Sequence, residues 1–349
     1  MKVVRLGSRL VGENQSCVVV AEVGINHNGE MSLAHRAIDS AADAGADAVK
    51  FQNYHTEDFI SDRSLTYEYV SQGKTVVEPQ WDMFKRCELA PGQLRELREH
   101  CDRRGVIFFS TPSSEAGIRD LINAGTPLLK NGSDYLVHLP MIRAMARTGL
   151  PTVLSTGMAA AEDIEDAVEA FRGAGGKDLI LLQCTSSYPT PPEDVNLKKI
   201  ITLAQKFDCP VGLSDHTYGT IAAIGSVALG ACMIEKHFTL DRSLPGPDHW
   251  FSSDATELRS LVDAVRTIEK NLGSPELEPA NSEKLGRREY RLSCVAAREL
   301  TAGHRLRASD VAFRRPGSGF PPKEVDRLID RCLAKNVSPG HVFSSEDFV

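Results

Sequence analysis

Ser214-Asp215-His216 and Glu235-Lys236-His237 each close a short apolar run in the segment VGLSDHTYGTIAAIGSVALGACMIEKHF, residues 211–238. Between them, from about Thr220 to Gly230, lies a small-residue stretch with helical spacing. The segment therefore reads as strand, helix, strand, the unit of a parallel sheet. Side chains two apart on a strand share a face. Ser214 and His216 point one way, and Glu235 and His237 do likewise. At the C-terminal ends of neighbouring parallel strands the two pairs converge. Two imidazoles and a carboxylate at one rim form a donor set for a divalent metal, with positions left for substrate. Either histidine alone would be an ordinary side chain capped by a helix end or water. The matched placement of both carries the metal reading.

More parallel elements of the same kind are needed to hold such a rim, and the chain supplies eight in all. Apolar runs recur at 18–24, 47–52, 106–111, 127–130, 151–156, 178–185, 211–216 and 232–238. Segments such as LAHRAIDSAADAG and AEDIEDAVEAFRGAG separate them, with i, i+3, i+4 apolar spacing and a closing Gly. Eight βα units in this length predict an α/β fold, the (β/α)8 TIM barrel. No GxGxxG follows the first run, which argues against a doubly wound open sheet. Residues 1–15 read as a two-stranded lead-in turning at Gly7-Ser8. The 53–80 stretch reads as a long polar connection, either a lid or a surface insertion. Two prolines stiffen DRSLPGPDHW after the eighth run and aim Asp248 or His249 at the rim.

From Gly273 the text becomes rich in Pro, Glu and Ser, a linker composition. The expected organisation is a catalytic barrel over 1–272, a linker over 273–287 and a small β-rich domain over 288–349. In that last part ELTAGHRLRASDV and NVSPGHVFSSEDF share a pattern: an apolar residue, a Gly-His turn, an apolar residue, then an acid. They predict an internal pseudo-repeat.

Composition narrows the class. A net charge of −7 argues against nucleic-acid binding. The 11 Lys+Arg and 8 Asp+Glu from Arg288 onward make that region +3 and the remainder −10. No run approaches the ~18 apolar residues of a membrane helix. The first twenty residues lack a signal-peptide core, and the eight cysteines form no CxxC pair. A cytoplasmic enzyme with no membrane or nucleic-acid partner is expected.

The polar residues gather where the runs end: Glu22, Lys50, Gln52, Thr111, Lys130, Ser155, Thr185, Ser214, His216, Glu235 and His237. In a barrel these ends form the catalytic rim. Lysines there act as Schiff-base nucleophiles or phosphate anchors. Lys130 precedes Asn131-Gly132-Ser133, a turn offering N–H groups to an anion. Phosphate binding beside a Lewis-acid metal fits carbon–carbon bond formation or phosphate-ester chemistry.

AEVGINHNG (21–29), VKFQ (49–52), LSTGM (154–158), SYPTPPEDVNL (187–197), GLSDHT (212–217), EKHFT (235–239), PGPDH (245–249) and RRPGSG (314–319) together resemble the sialic acid synthase family. The resemblance spans nearly the whole chain, and the C-terminal part resembles the family's antifreeze-protein-like (SAF) domain. It implies condensation of phosphoenolpyruvate with an open-chain N-acetylhexosamine such as N-acetylmannosamine. The product would be a nine-carbon 2-keto acid plus phosphate, with Mn2+, or else Mg2+ or Co2+, required. It also implies a domain-swapped homodimer. His216 and His237 match the family's metal ligands. Lys50, Lys130, Ser133, Ser155 and Ser214 match the surroundings of phosphoenolpyruvate, and Thr111 and Tyr188 are expected to bind substrate. Glu22, Gln52 and Asp248 match groups near the sugar and the reacting carbon, Glu235 matches an active-site carboxylate, and Arg315 matches the cap arginine.

The chain departs from the family where sialic acid synthases often read KIGSGE. Here Asp134 comes one place earlier and Tyr135 takes the usual Glu place. A wall changed in this way suits the 2,4-diacetamido-6-deoxy sugars of the legionaminic and pseudaminic relatives. Two other classes stay open on the residues themselves: a Schiff-base aldolase using Lys50 or Lys130, and a non-catalytic carbohydrate- or ice-binding protein.

Overall fold

Eight short runs become the barrel strands, labelled here β1 (Val18–Gly24), β2 (Ala48–Asn53), β3 (Ile107–Pro112), β4 (Leu129–Asn131), β5 (Thr152–Ser155), β6 (Leu179–Cys184), β7 (Val211–Asp215) and β8 (Met233–His237). All pairings are parallel, in the order β3-β2-β1-β8-β7-β6-β5-β4. The two end strands, β3 and β4, come within 8 Å of each other, so the sheet nearly closes into a barrel. The computed structural model describes residues 3–349. It divides into two compact units, Met1–Gly273 and Ser274–Val349.

Strand parity sorts the side chains. Val18, Val20, Ala48, Phe109, Leu128, Val153, Ile180, Leu182 and Met233 pack as one inner cluster. The antiparallel lead-in Val3–Leu6 and Arg9–Gly12 adds Val4, Leu6 and Val11 to that cluster. Arg9 pairs with Asp47 Oδ1 and Arg266 with Oδ2, which also accepts the Val19 N–H at 2.8 Å, so the lead-in is tied to the start of the sheet. The alternate residues face the helices, where Val19, Val23, Val49, Phe51 and Ile234 join one outer cluster.

The helices begin and end on local signals. Asp254 caps Ala255–Leu272 by accepting from the N–H groups of Thr256 and Glu257. Gly105 and Gly125 end Pro91–Arg104 and Glu115–Ala124 in the left-handed region. One glycine is required by space. A Cβ on Gly29, at φ +79°, would sit 2.1 Å from the Arg86 carbonyl oxygen.

The 53–80 connection is structured, unlike a polar loop. It holds a short helix, Thr56–Phe59, and a hairpin of Thr66–Ser71 with Lys74–Pro79, followed by the helix Gln80–Cys87. Gln72 and Gly73 both take positive φ, the geometry of a two-residue hairpin turn. The hairpin tip is bonded to the loop after β8: Gly246 N–H donates to Ser71 Oγ (3.1 Å) and Gln72 to the Ser243 carbonyl (2.8 Å).

In the second unit, the residues expected to be linker include a single turn at Asn281–Glu283 and a short helix, Lys284–Glu289. Ser293–Ala296 pairs antiparallel with Val311–Arg314. The two sequence echoes adopt the same arrangement. His304 Nε2 meets buried Asp310 at 2.8 Å and His341 Nε2 meets buried Asp347 at 3.0 Å. Each aspartate also accepts a backbone N–H three residues earlier, from Arg307 and Ser344.

Burial alone would raise the Asp347 carboxyl. Lys335, the Ser344 N–H and His341 override it and hold it at about 2. A depressed pKa stabilises the folded state above the ordinary carboxylate range, and that stability is lost as pH falls through about 2. Asp347→Asn is expected to cost on the order of 1–2 kcal/mol at pH 7 and to flatten the acid limb of the second unit's unfolding. Thermal melts followed between pH 6 and pH 2 check this.

Candidate functional site

One cavity of about 490 Å3 opens at the C-terminal ends of the strands. It is lined by Glu22, Lys50, Gln52, Thr111, Lys130, Ser133, Ser155, Tyr188, Ser214, His216, Glu235, His237 and Asp248. Of the candidates from the sequence, Thr185 and Arg315 are not among the lining; Arg315 belongs to the second unit, where it is exposed with its guanidinium 5.3 Å from the Tyr290 ring centre.

The ladder register explains the convergence. Ser214 is level with Glu235, His237 with Glu22, and Glu22 with Lys50. Lys50 Nζ lies 2.9 Å from Glu22 Oε1, 3.5 Å from Glu235 Oε1 and 3.1 Å from Thr111 Oγ1. Lys130 Nζ donates to Ser155 Oγ (2.6 Å) and the Asn131 carbonyl (2.9 Å), and reaches Glu235 Oε2 at 4.0 Å. Ser214 donates to Glu235 (3.1 Å) and Gln52 to Glu22 (3.3 Å). Glu235 is thus shared by two lysines, both almost wholly buried.

Burial drives the titrations apart. It raises Glu22 to about 7, Lys50 opposing and Glu235 assisting. Burial would also raise Glu235, but Lys130 and Lys50 outweigh it and hold that carboxyl below its ordinary value. Burial pushes Lys130 down. Lys50 is depressed by burial yet ends above its usual range because Glu22 and Glu235 flank it. Two lysines therefore face one firmly ionised carboxylate, and the centre is suited to an anion.

The metal expectation is tested by the imidazoles. His216 Nδ1 lies 2.9 Å from the Thr185 carbonyl, which can only accept. Nδ1 therefore carries the proton and Nε2 presents a lone pair. His237 is held neutral by burial and by His216, and its buried Nδ1 has no hydrogen-bond partner. Asp248 Oδ2 lies 3.8 Å from that nitrogen. The two rings are 5.4 Å apart, with the Tyr188 ring tilted against His216 at 4.2 Å. Burial would lower the His216 pKa, but Cys184 and the Thr185 carbonyl outweigh it and raise it. With that proton displaced, His216 Nε2 and the unpartnered His237 Nδ1 fit a divalent cation whose other positions go to substrate or water. Among the described residues, no group of three or more His, Cys, Asp or Glu is arranged as a complete metal cage.

Two features escaped the sequence reading, and one choice it left open, between Asp248 and His249, is decided. The β6 rim residue is Cys184, not Thr185. Cys184 is level with Ser214 and receives the Ser133 hydroxyl at 3.4 Å, whereas the Thr185 hydroxyl bonds the Asp194 carbonyl away from the cavity. Parity with Ser214 was the available signal, masked because Cys was counted as apolar. In the loop after β8, Asp248 lines the cavity and His249 turns away to Thr239 at 2.7 Å. Finally, Tyr54, Phe59 and Phe84 form an aromatic wall, with rings 5.0–5.4 Å apart, that lines the cavity together with Ile25 and Met83.

Comparison with known proteins places these observations. The sequence profile of the NeuB family matches residues 37–276 and that of the SAF domain matches 293–349. An N,N'-diacetyllegionaminic acid synthase of Legionella pneumophila is 37% identical over 94% of this chain and 94% of its own length. The N-acetylneuraminate-9-phosphate synthase of Homo sapiens is 34% identical over 97% and 94%. The crystal structure of a sialic acid synthetase from Leptospira borgpetersenii, 36% identical, covers 82% of this chain and 95% of its own with a TM-score of 0.74. No helix of the described residues is long and apolar enough to cross a membrane.

Proposed function

We propose that this chain, which belongs to the NeuB family, condenses phosphoenolpyruvate with an open-chain acetamido sugar to give a nine-carbon 2-keto acid and phosphate. The observation that carries the proposal is Glu235 shared between two buried lysines, beside a pair of imidazoles 5.4 Å apart in the same cavity. Lys50, Lys130, Ser155 and Ser214 bind the phosphate and carboxylate of phosphoenolpyruvate, with Thr111 and Ser133 supporting them. A divalent cation on His216 and His237, Mn2+ foremost with Mg2+ or Co2+ as alternates, supplies Lewis-acid polarisation of the acceptor's aldehyde.

In the balanced reaction, C3 of phosphoenolpyruvate forms the new bond to the aldehyde carbon, whose oxygen takes a proton. Water adds at C2, and phosphate leaves from the resulting tetrahedral centre to give the ketone. Glu22, titrating at about 7, is placed to exchange the proton of that water. Gln52 orients Glu22, and Asp248 and Tyr188 flank the acceptor. The aromatic wall favours an acceptor rich in methyl groups, a 2,4-diacetamido-6-deoxy sugar over N-acetylmannosamine. The similarity to the Legionella synthase supports the same choice. The reaction is placed in the cytoplasm, in a homodimer whose Arg315 serves the neighbouring copy's site.

Phosphate release from phosphoenolpyruvate with Mn2+ and a panel of acetamido sugars tests the proposal. A borohydride-trapped adduct with activity surviving EDTA would support a lysine aldolase instead. Glu22→Gln is expected to lower kcat/KM about a hundredfold or more and to erase the ionisation near pH 7. In the wild type, rate should rise with pH through that value as the carboxylate forms. A Glu22→Gln profile with the same inflection would assign it to another group.

A further inference from the structure

Asp215 and Lys236 make an ion pair of 2.8 Å in which both side chains are almost completely buried, 0% and 2% exposed. Their neighbours Ser214 and Glu235 face the cavity, so strand alternation turns this pair outward, away from the site. A buried ion pair is costly to desolvate, and well-packed apolar residues of similar volume often serve stability as well or better. Stability alone is therefore a weak account of its presence.

Its connections point elsewhere. The β7–β8 ladder ends at the register pair Asp215↔Lys236, one residue before His216 and His237. His216 thus lies past the paired strand. Lys236 Nζ grips both sides of it, the Asp215 carboxylate at 2.8 Å and the Thr217 carbonyl at 2.8 Å. Thr217 N–H closes the ring by donating to the other Asp215 oxygen at 2.9 Å. The lysine holding the backbone around His216 is the residue directly before His237. A movement of one imidazole relative to the other must stretch this ring of charge-assisted bonds.

We infer that Asp215 and Lys236 are positioning residues that set the separation of the His216 and His237 imidazoles for a shared divalent cation. The inference rests on the metal reading of those histidines. It assigns the pair no contact with substrate and no share in the chemistry. An outer ion pair takes the place of the ladder bonds that are missing at the rim.

The test is the apolar pair Asp215→Leu/Lys236→Met, which removes the ring without stranding a buried charge. Mn2+ affinity is read by electron paramagnetic resonance of the free aqueous ion, with His237→Ala as the non-binding control, and folding by thermal melt. The double variant is expected to unfold cooperatively and to bind Mn2+ about 10–100-fold more weakly, as metal sites do when their supporting partners are lost. Wild-type affinity in the folded double variant would overturn the inference and leave the pair a packing feature. If that variant fails to fold, the neutral pair Asp215→Asn/Lys236→Gln carries the test, with a several-fold loss supporting the inference and an unchanged affinity overturning it. Wild-type protein that binds no Mn2+ would remove the metal reading itself, and this inference with it. Binding by the wild type with no change in either variant removes the inference alone.

Discussion

His237→Ala is expected to abolish Mn2+-dependent phosphate release from phosphoenolpyruvate while leaving the barrel folded. The site offers two imidazole donors, and no further His, Cys, Asp or Glu completes a cage around them among the described residues. Losing a supporting partner typically weakens a metal site ~10–100-fold, so losing one of two protein ligands should cost about a thousandfold or more. The structural cost is smaller. The imidazole packs against Phe251 at 5.1 Å and Tyr188 at 5.8 Å, and its Nδ1 already lacks a hydrogen bond. Truncation leaves a small polar void at a rim rather than a hole in the packed interior, for a loss of about 1–2 kcal/mol. Steady-state assays across a Mn2+ titration, with melts on the same samples, separate the two effects. Activity that persists in EDTA, in wild type and variant alike, would end the metal reading.

Arg315→Ala is expected to inactivate the homodimer just as severely, yet to be rescued by mixing. Arg315 is exposed in the second unit, and Arg314 stands beside it. If each copy's Arg315 completes the other's site, two-fold symmetry makes the exchange reciprocal. An Arg315→Ala chain has a sound barrel, and a His237→Ala chain has a sound cap. In a mixed dimer these meet at one of the two sites. Unfolding and co-refolding equal amounts should restore up to ~25% of wild-type activity for random pairing and independent sites. If the arginine serves its own chain, every barrel keeps its own defect and no activity returns. Confirmed mixed dimers without rescue would rule out the exchange, and a fully active Arg315→Ala homodimer would take Arg315 out of the site.

Much of this molecule is legible because a parallel barrel depends on two local regularities. Apolar runs bounded by glycine-closed helical segments specify strands and order, so all eight runs became strands shifted by no more than two residues at either end. Period-two alternation then specifies which strand residues reach the rim, so Glu22, Lys50, Gln52, Thr111, Lys130, Ser155, Ser214, Glu235 and His237 line one cavity, joined by Ser133, Tyr188, His216 and Asp248 from the segments after the strands. The SAF echo is legible for the same reason, since equal spacing of Gly-His and Asp produced equal His–Asp pairs.

The 66–79 hairpin was missed because its Gln-Gly turn is a weaker signal than Asn-Gly, and its strands bury little of themselves. Cys184 was missed because residue type overrode parity. Other properties belong to no single strand. The value of about 7 at Glu22 arises from burial in the closed barrel, with Lys50 opposing and Glu235 assisting, while Lys130 and Lys50, from two other strands, outweigh burial at Glu235 and depress it. The proton on His216 Nδ1 is dictated by a carbonyl thirty-one residues away. Asp215 and Lys236, read in the sequence only as spacers between rim residues, become partners because β7 and β8 are neighbours. Alternation along a chain determines which way a side chain points. What it meets there, and so its charge and its chemistry, depends on closure of the sheet, which brings distant strand ends together in a place with little water.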